Sequence, residues 1–247
     1  MTSQGALKEK KNNFYSKVED EQISDMFEVG AHFGYRHSKT HPSVENYIFG
    51  VKNNTEVFDL EKTRGLLDKA KDFVEQLGRE GKTVIFVGGK HPSWAPVEEN
   101  ANKVGAPYVV GRWIGGTITN FPQTKKRLDH LKNLREQRES GEFAKKYTKK
   151  EQLLIDREIG DLEEKFGGIV NIEKIPEALF VIDPRKEHLA IREAQKKDIP
   201  VVALASSDCD IEKIDYPIVA NDSAPASIRY FTEQIAEAYN KGKKEII

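Results

Sequence analysis

The 247-residue sequence contains a single cysteine, Cys209. One cysteine excludes an internal disulfide and a cysteine-based zinc site within one chain, and it favours a reducing compartment. No stretch approaches the roughly 20 apolar residues that cross a bilayer, and the N-terminus has no apolar core like that of a signal peptide. We therefore expect a soluble, cytosolic protein that is not bound to a membrane.

The sequence also lacks an excess of either charge, because 39 basic and 40 acidic residues give a formal net charge of -1. No global positive field indicates a polyanionic partner, so a nucleic-acid surface would need local segregation of charge. Charged residues make up 32% of the chain and hydrophobic residues 38%. This composition is polar for the length and indicates long, exposed helices.

The N-terminal part of the chain predicts a tail, a short helix and a β-hairpin. Residues 1–22 are polar with few side chains to bury, which indicates a flexible tail. Ser24 is the expected N-cap of a helix that ends near Gly30. Two β-prone runs flank Asn53 and Asn54, which tolerate the left-handed conformation that a tight turn needs.

From residue 59 onward, helical and strand patterns alternate. Apolar strands are predicted at 83–87, 107–110, 178–182, 200–204 and 217–220, and Ser93 is the expected cap of one intervening helix. These strands are continuous apolar runs, so both faces of their sheet should be covered. The pattern predicts an open, mostly parallel α/β sheet. The α/β domain is expected to comprise 23–120 and 167–241, followed by a C-terminal tail at 242–247.

Residues 121–166 interrupt this alternation and are the most charged part of the chain. Ile155, Ile159, Leu162 and Phe166 follow the spacing of a coiled-coil seam, which predicts an inserted antiparallel αα-hairpin. Residues 122–150 contain ten basic and four acidic residues, and 151–165 contain two and six. The first arm is therefore the expected partner of phosphate, whereas the second repels it.

Two glycine motifs suggest a nucleotide site. Gly81-Lys82-Thr83 resembles the end of a phosphate-binding loop, but it follows a helix and precedes a strand, which reverses the required order. Gly88-Gly89-Lys90 follows a strand at the edge where doubly wound folds bind ligands, although it lacks the dinucleotide-binding spacing. A nucleotide-binding α/β enzyme acting at Gly88-Gly89 therefore stays open as the alternative function.

Metal and thiol chemistry have weaker support. His32, His37 and His41 match no strong zinc spacing, so surface or base-stacking histidines are favoured. Cys209 lies between Asp208 and Asp210 without a histidine beside it, which favours a loop cap or a small buried thiol over a nucleophile or cation site. We therefore expect no cofactor and no protein-bound metal.

The stretch GRWIGGTITNFP, residues 111–122, combines groups that suit RNA. Arg112 and Trp113 can contact phosphate and stack on bases, and Gly115 and Gly116 allow close approach of the backbone. The same glycines could instead simply turn the chain.

Several motifs together resemble one known family. VGAHFGYRHSKTHPSVENYIFG, IFVGGK, GRWIGGTITNF and ALFVIDPRKEHLAIREA occur in the order found in the bacterial-type small-subunit (30S) ribosomal protein family numbered two. The resemblance runs from about Ile23 to Tyr239. It implies a flavodoxin-like or Rossmann-like domain with an inserted helical hairpin and no catalysis. It also implies assembly on small-subunit rRNA in the cytoplasmic ribosome, near the path of mRNA.

The family further implies neighbouring small-subunit proteins as partners, including the large S1-type mRNA-binding protein, and no homo-oligomer; structural Mg2+ could accompany the rRNA. The motifs and the basic arm together predict RNA contacts at His32, Phe33, Arg36, His37, Lys39, Arg112, Trp113, Thr119, Asn120, Lys125, Lys126, Arg127, Lys132, Arg135, Lys145, Lys146, Lys149 and Lys150. The chain departs from the family at Gly89, at His91-Pro92 and at ASSDCDIEK, residues 205–213. These departures affect local loop contacts.

Overall fold

The structure is a computed structural model that describes residues 21–141, 143 and 146–245. The described strands are β1 (Phe33–Arg36), β2 (Ile48–Lys52), β3 (Thr55–Phe58), β4 (Val84–Gly88), β5 (Tyr108–Val110), β6 (Ala178–Ile182), β7 (Val201–Ala205) and β8 (Tyr216–Val219). The described α-helices are α1 (Glu21–Glu28), α2 (Leu60–Arg79), α3 (His91–Val104), α4 (Phe121–Glu139), α5 (Lys149–Phe166), α6 (His188–Gln195) and α7 (Pro225–Lys244). None of these helices combines the length and the apolar character that spanning a membrane requires.

Strands β4 to β8 form one parallel sheet in the order β5-β4-β6-β7-β8. The chain runs from β4 outward to β5 and then returns to the other side of β4, so the order reverses between β4 and β6. This is the flavodoxin-like order, in which ligands bind beside the reversal. Every residue of β4, β6 and β7 is buried. The predicted fold class is therefore confirmed.

Two cores cover the two faces of this sheet. Phe86 and Phe180 point toward α2, α3 and α7, where Phe231 of α7 is fully buried beside them. Ile85 and Val181 point to the other face, which is covered by α6 and by the base of the α4-α5 hairpin, including Leu128. The alternation of neighbouring side chains along each strand divides the strand residues between the two cores.

Helices α2 and α7 touch through two glycines. A Cβ on Gly78 would overlap the carbonyl oxygen of Tyr239, and a Cβ on Gly242 would overlap that of Glu75. Because Gly242 seats α7 against α2, the helix continues to Lys244, and the predicted tail at 242–247 is wrong in its first residues. Residues 246 and 247 lie outside the described part of the chain.

Two helix starts also differ from prediction. The described part of helix α1 runs from Glu21, so Ser24 lies within the helix and the predicted tail at 1–22 includes two helical residues. Residues 1–20 lie outside the described residues. Helix α3 begins at His91 with Lys90 as its N-cap, and the Ser93 hydroxyl donates back to the Lys90 carbonyl. Pro92 fits the first turn of a helix, which moves the start ahead of Ser93.

Strands β1, β3 and β2 form a separate antiparallel sheet in that order. The β2-β3 turn uses Asn53 and Asn54 in the left-handed region, with φ of 50° and 62°, as the turn prediction required. The sheet lies at the carboxyl edge of the parallel sheet, because the Ser207 hydroxyl after β7 accepts a hydrogen bond from the Tyr35 backbone at 2.9 Å.

Candidate nucleic-acid interface

The two arms of the hairpin neutralise part of each other's charge. Helices α4 and α5 pack through a small core that includes Leu131 and Ile159. Across this seam three cross-helix pairs form, Arg135-Glu163 at 3.0 Å, Arg138-Asp156 at 3.4 Å and His130-Glu158 at 3.0 Å. Charges that are segregated along the sequence thus meet in the antiparallel fold.

Several predicted RNA-binding cations stay available on the hairpin. Lys125 pairs with Asp129 at 3.1 Å within α4, and Arg135 is paired across the seam. Lys146 is exposed, and Lys145 lies outside the described residues. Among the residues that the structure describes, five further lysines and arginines form no ion pair: Lys126, Arg127, Lys132, Lys149 and Lys150. We call these five the basic hairpin surface.

The loop after β5 is organised by Glu193 of α6, which the sequence did not single out. The Trp113 indole donates to Oε1 of Glu193 at 3.2 Å, and the Gly116 backbone donates to the same oxygen at 2.7 Å. Oε2 accepts from the Ile118 backbone at 3.0 Å, the Thr119 backbone at 2.9 Å and the Thr119 hydroxyl at 3.1 Å. Five donors therefore converge on one buried carboxylate.

Glu193 stays ionised in this position. Burial alone would raise the pKa of its carboxyl, but the hydrogen bonds from the loop backbone and the Trp113 indole outweigh burial and lower the pKa below its ordinary value. Glu193 shares a buried helical face with Ala190 and Ala194. An acidic residue at position 193, on a helical face that is otherwise apolar and buried, is the sequence signal that could have indicated a partner for the loop.

This arrangement corrects part of the predicted interface. Trp113 is only 4% exposed and cannot stack on a base, because its ring belongs to the core. The Thr119 side chain donates to Glu193 and is half-buried. Arg112 and Asn120 are exposed on the loop, so their RNA contacts stay a prediction.

The RNA contacts predicted in the first motif, between residues 32 and 39, also include both buried and exposed side chains. His32 is buried and stacks on Phe27 with ring centroids 4.1 Å apart, so its own ring does not face a ligand. His37 is exposed and pairs with the buried carboxylate of Glu56 at 3.1 Å. Phe33, Arg36 and Lys39 are exposed as well.

A buried charge centre occupies the carboxyl edge beside the strand reversal. The Lys90 ammonium lies 2.6 Å from Asp183 and 3.1 Å from Asp222, and it donates to the Tyr35 hydroxyl at 3.1 Å. Burial would lower the pKa of Lys90, but the charges of Asp222 and Asp183 outweigh burial and raise it. Burial raises the pKa of Asp222 to about 6, although Lys90 opposes this.

The same edge contains the one group of potential metal ligands found among the described residues. Asp183, Cys209 and Asp222 each offer an atom within 4.8 Å of the others. The Lys90 ammonium already lies between the two carboxylates. Cys209 is fully buried, and burial raises the pKa of its thiol. This burial agrees with the small buried thiol that the sequence favoured.

The crevice in which doubly wound folds bind nucleotides is filled by the protein's own side chains. A Cβ on Gly89 would overlap the Glu187 carboxylate, which therefore lies directly over this glycine. The Lys186 ammonium donates to the Gly89 carbonyl at 2.9 Å, and the Ser93 hydroxyl packs against Gly88. Glu187, Lys186 and Ser93 therefore cover the two glycines. The Gly88-Gly89 alternative therefore has no geometric support.

These features define a class of protein, an α/β scaffold with a covered ligand crevice and with a group of unpaired cations on an inserted helical hairpin. Such a scaffold suits binding and positioning more than catalysis. The chain belongs to the ribosomal protein S2 family, because the family profile described as "Ribosomal protein S2" matches residues 26–242.

Individual relatives agree with this assignment, and each is described as "Small ribosomal subunit protein uS2". The protein from Roseiflexus sp. is 43% identical over 218 residues, which cover 88% of this chain and 83% of the relative. The protein from Sulfurimonas denitrificans is 42% identical over 221 residues, covering 90% and 85%. That from Mycobacteroides abscessus is 40% identical over 220 residues, covering 89% and 79%.

Family membership confirms the resemblance seen in the sequence motifs. Members of the family are structural constituents and not enzymes, which confirms that prediction. It also confirms that the protein is a ribosomal protein located in the ribosome.

Proposed function

We propose that the protein binds small-subunit rRNA and supports assembly of the subunit and translation near the mRNA path. The observation that carries the proposal is the basic hairpin surface, five cations that are not neutralised by any described residue. Free cations on a projecting helical pair can each neutralise an RNA phosphate. Arg112, Asn120, Arg36 and Lys39 are exposed elsewhere on the chain and are further candidate RNA contacts.

The names of the relatives support the same partner class, since each is a small-subunit protein. Neighbouring small-subunit proteins, including a large S1-type protein, are the other proposed partners. The protein acts in this proposal as one copy in the particle and needs no cofactor of its own. Structural Mg2+ could bridge acidic residues of the hairpin to rRNA phosphates.

The proposal is tested with a charge-reversed variant, Lys149→Glu with Lys150→Glu. Both residues lie in the first turn of α5 and are exposed, so the variant should fold normally. We expect weaker binding to small-subunit rRNA and a shallower dependence of log K on log salt, by roughly 0.7–0.9 for each phosphate that the variant no longer neutralises. Filter binding at several salt concentrations measures both quantities.

The matched control reverses Lys196 and Lys197, two exposed lysines on the loop before β7 that form no ion pair with described residues. This control should bind rRNA like the wild type. Co-sedimentation of the wild type with small subunits tests the whole proposal. If the α5 variant bound and sedimented normally at raised salt, the basic hairpin surface would not be the RNA contact.

A further inference from the structure

A cleft of about 660 Å³ lies between the edge strand β5 and the α4-α5 hairpin. The covered crevice lies beside β4 and β6, on the inner side of β5, so the cleft is a separate space. Trp94 and Glu98 of α3, Arg112 and Ile114 of the loop after β5, and Glu164 of α5 line the cleft. A cleft that combines aromatic and aliphatic side chains with a few charged groups is the usual form of a ligand site.

Trp94 provides an exposed aromatic ring at this cleft. Its side chain is 40% exposed, whereas that of Trp113, the other tryptophan, is 4% exposed. The Trp94 indole donates to the Gly89 carbonyl at 3.4 Å, and the centroid of the His91 ring lies 4.9 Å from that of Trp94. The ring is thus held in place before any ligand arrives, which reduces the entropic cost of binding.

Two cations lie beside the Trp94 ring. The Lys186 ammonium donates to the same Gly89 carbonyl at 2.9 Å, which places it next to the indole nitrogen. Arg112 follows Gly111, where an added Cβ would lie 3.9 Å from the Trp94 ring. Lys186 and Arg112 are exposed and form no ion pair with described residues. The phosphate of a nucleotide whose base stacks on this ring can therefore contact positive charge.

Two carboxylates of the cleft favour one kind of base. Glu98 lies one helical turn after Trp94 on the same face of α3, and its Oε1 accepts from the Tyr108 hydroxyl at 2.8 Å. Glu164 lines the cleft from the hairpin side and forms no ion pair with described residues. Carboxylates repel phosphate, but they accept hydrogen bonds from the exocyclic amino group of cytosine. We therefore expect the base, and not the phosphate, to lie at the carboxylates.

We propose that this cleft binds an unpaired RNA nucleotide whose base carries an exocyclic amino group, such as cytidine. The base stacks on Trp94, and the phosphate lies beside Arg112 and Lys186. The inference rests on the proposed function in one respect, that RNA is the partner. Arg112 is already among the candidate RNA contacts, so the new elements are the Trp94 ring, the Lys186 ammonium and the selectivity for the base.

The first test needs no variant, because a base that stacks on the exposed indole of Trp94 should quench its fluorescence. Oligocytidine should quench the tryptophan fluorescence of the full chain at neutral pH, while the buried Trp113 stays unaffected. Anisotropy of a labelled oligonucleotide gives the affinity. We expect oligocytidine to bind about threefold or more tightly than oligouridine, because uracil lacks the amino group.

Variants of Trp94 test the ring itself. Trp94→Leu keeps an apolar side chain but removes the ring, and we expect it to raise Kd for oligocytidine about fivefold or more. Trp94→Phe keeps an aromatic ring, so it should bind within about threefold of the wild type but lose the quenching signal. Leu154→Ala is the matched control and should change neither quantity, since Leu154 is 54% exposed on α5 and does not line the cleft.

The possible outcomes separate the two proposals. If oligocytidine left the fluorescence unchanged, or if Trp94→Leu bound it like the wild type, the cleft site would be refuted. If the wild type bound small-subunit rRNA through the hairpin but did not bind oligocytidine, this inference alone would fail. If it bound neither RNA, the proposed function would fail as well. Free CMP that bound as tightly as oligocytidine would assign the cleft to a free nucleotide, and equal binding of oligouridine would overturn the selectivity for the base.

Discussion

Replacing Glu193 by glutamine should loosen the loop that follows β5. The carboxylate accepts five hydrogen bonds from this loop, and Oε2 alone accepts three of them. Glutamine has the same shape but only one acceptor oxygen, so its amide group would face N–H or O–H donors. Removing one partner of a buried charged network costs about 3–5 kcal/mol, and each buried donor left unpaired costs about 1–3 kcal/mol. We expect Glu193→Gln to lower the free energy of unfolding by about 3 kcal/mol.

Urea unfolding followed by tryptophan fluorescence measures this destabilisation, because Trp113 reports on the loop. The chain has two tryptophans, and a Trp94→Phe background leaves Trp113 as the single one. Glu237→Gln, at an exposed position of α7, is the control. The pKa of Glu193 is lowered on folding, so its stabilisation is full above the ordinary pKa of about 4.3 and is lost as pH falls through the lowered value. A variant within about 0.5 kcal/mol of the wild type at neutral pH would refute the reasoning.

Two further predictions concern close packing and burial. Gly242→Ala should lower the free energy of unfolding by about 2 kcal/mol or more, because the added Cβ would overlap the α2 backbone. The control Gly65→Ala has nothing within 4 Å of the added Cβ and should raise the free energy of unfolding by about 0.5–1 kcal/mol. Urea unfolding measures both changes, and similar midpoints for the two variants would contradict the glycine contact. Burial raises the pKa of Glu187 to about 7, so its contribution to stability is full below about pH 4.3 and is lost as pH rises through 7. Glu187→Gln should therefore raise Tm at pH of about 8, by the equivalent of about 1–3 kcal/mol, and have much less effect at pH of about 4; equal shifts at both pH values would contradict this.

Much of the fold was predictable because its local signals are strong. Strands β4, β6 and β7 are covered on both faces and therefore appear as continuous apolar runs. The turn at Asn53 and Asn54 and the seam of α5 follow equally direct rules. The strand order was not predictable, because a strand that is apolar along its whole length carries no mark of which neighbour it pairs with.

The candidate interface was less predictable, because its key partners are distant in sequence. Trp113 is of a residue type that suits RNA binding. Its place in the core depends on a hydrogen bond to Glu193, which lies 80 residues away in the sequence. The opposite charges of α4 and α5 predicted a basic arm and an acidic arm, but pairs such as Arg135-Glu163 join them once the helices pack antiparallel.

The centre around Lys90 has a consequence for how the protein is made. Its members come from β1, the start of α3, the end of β6 and the segment before α7, so they span most of the chain. Synthesis proceeds from the N-terminus, and Asp222 is therefore the last member to be produced. A chain truncated before Asp222 also lacks α7, which covers α2 and one sheet face. Incomplete products of translation that end before α7 should therefore fail to fold.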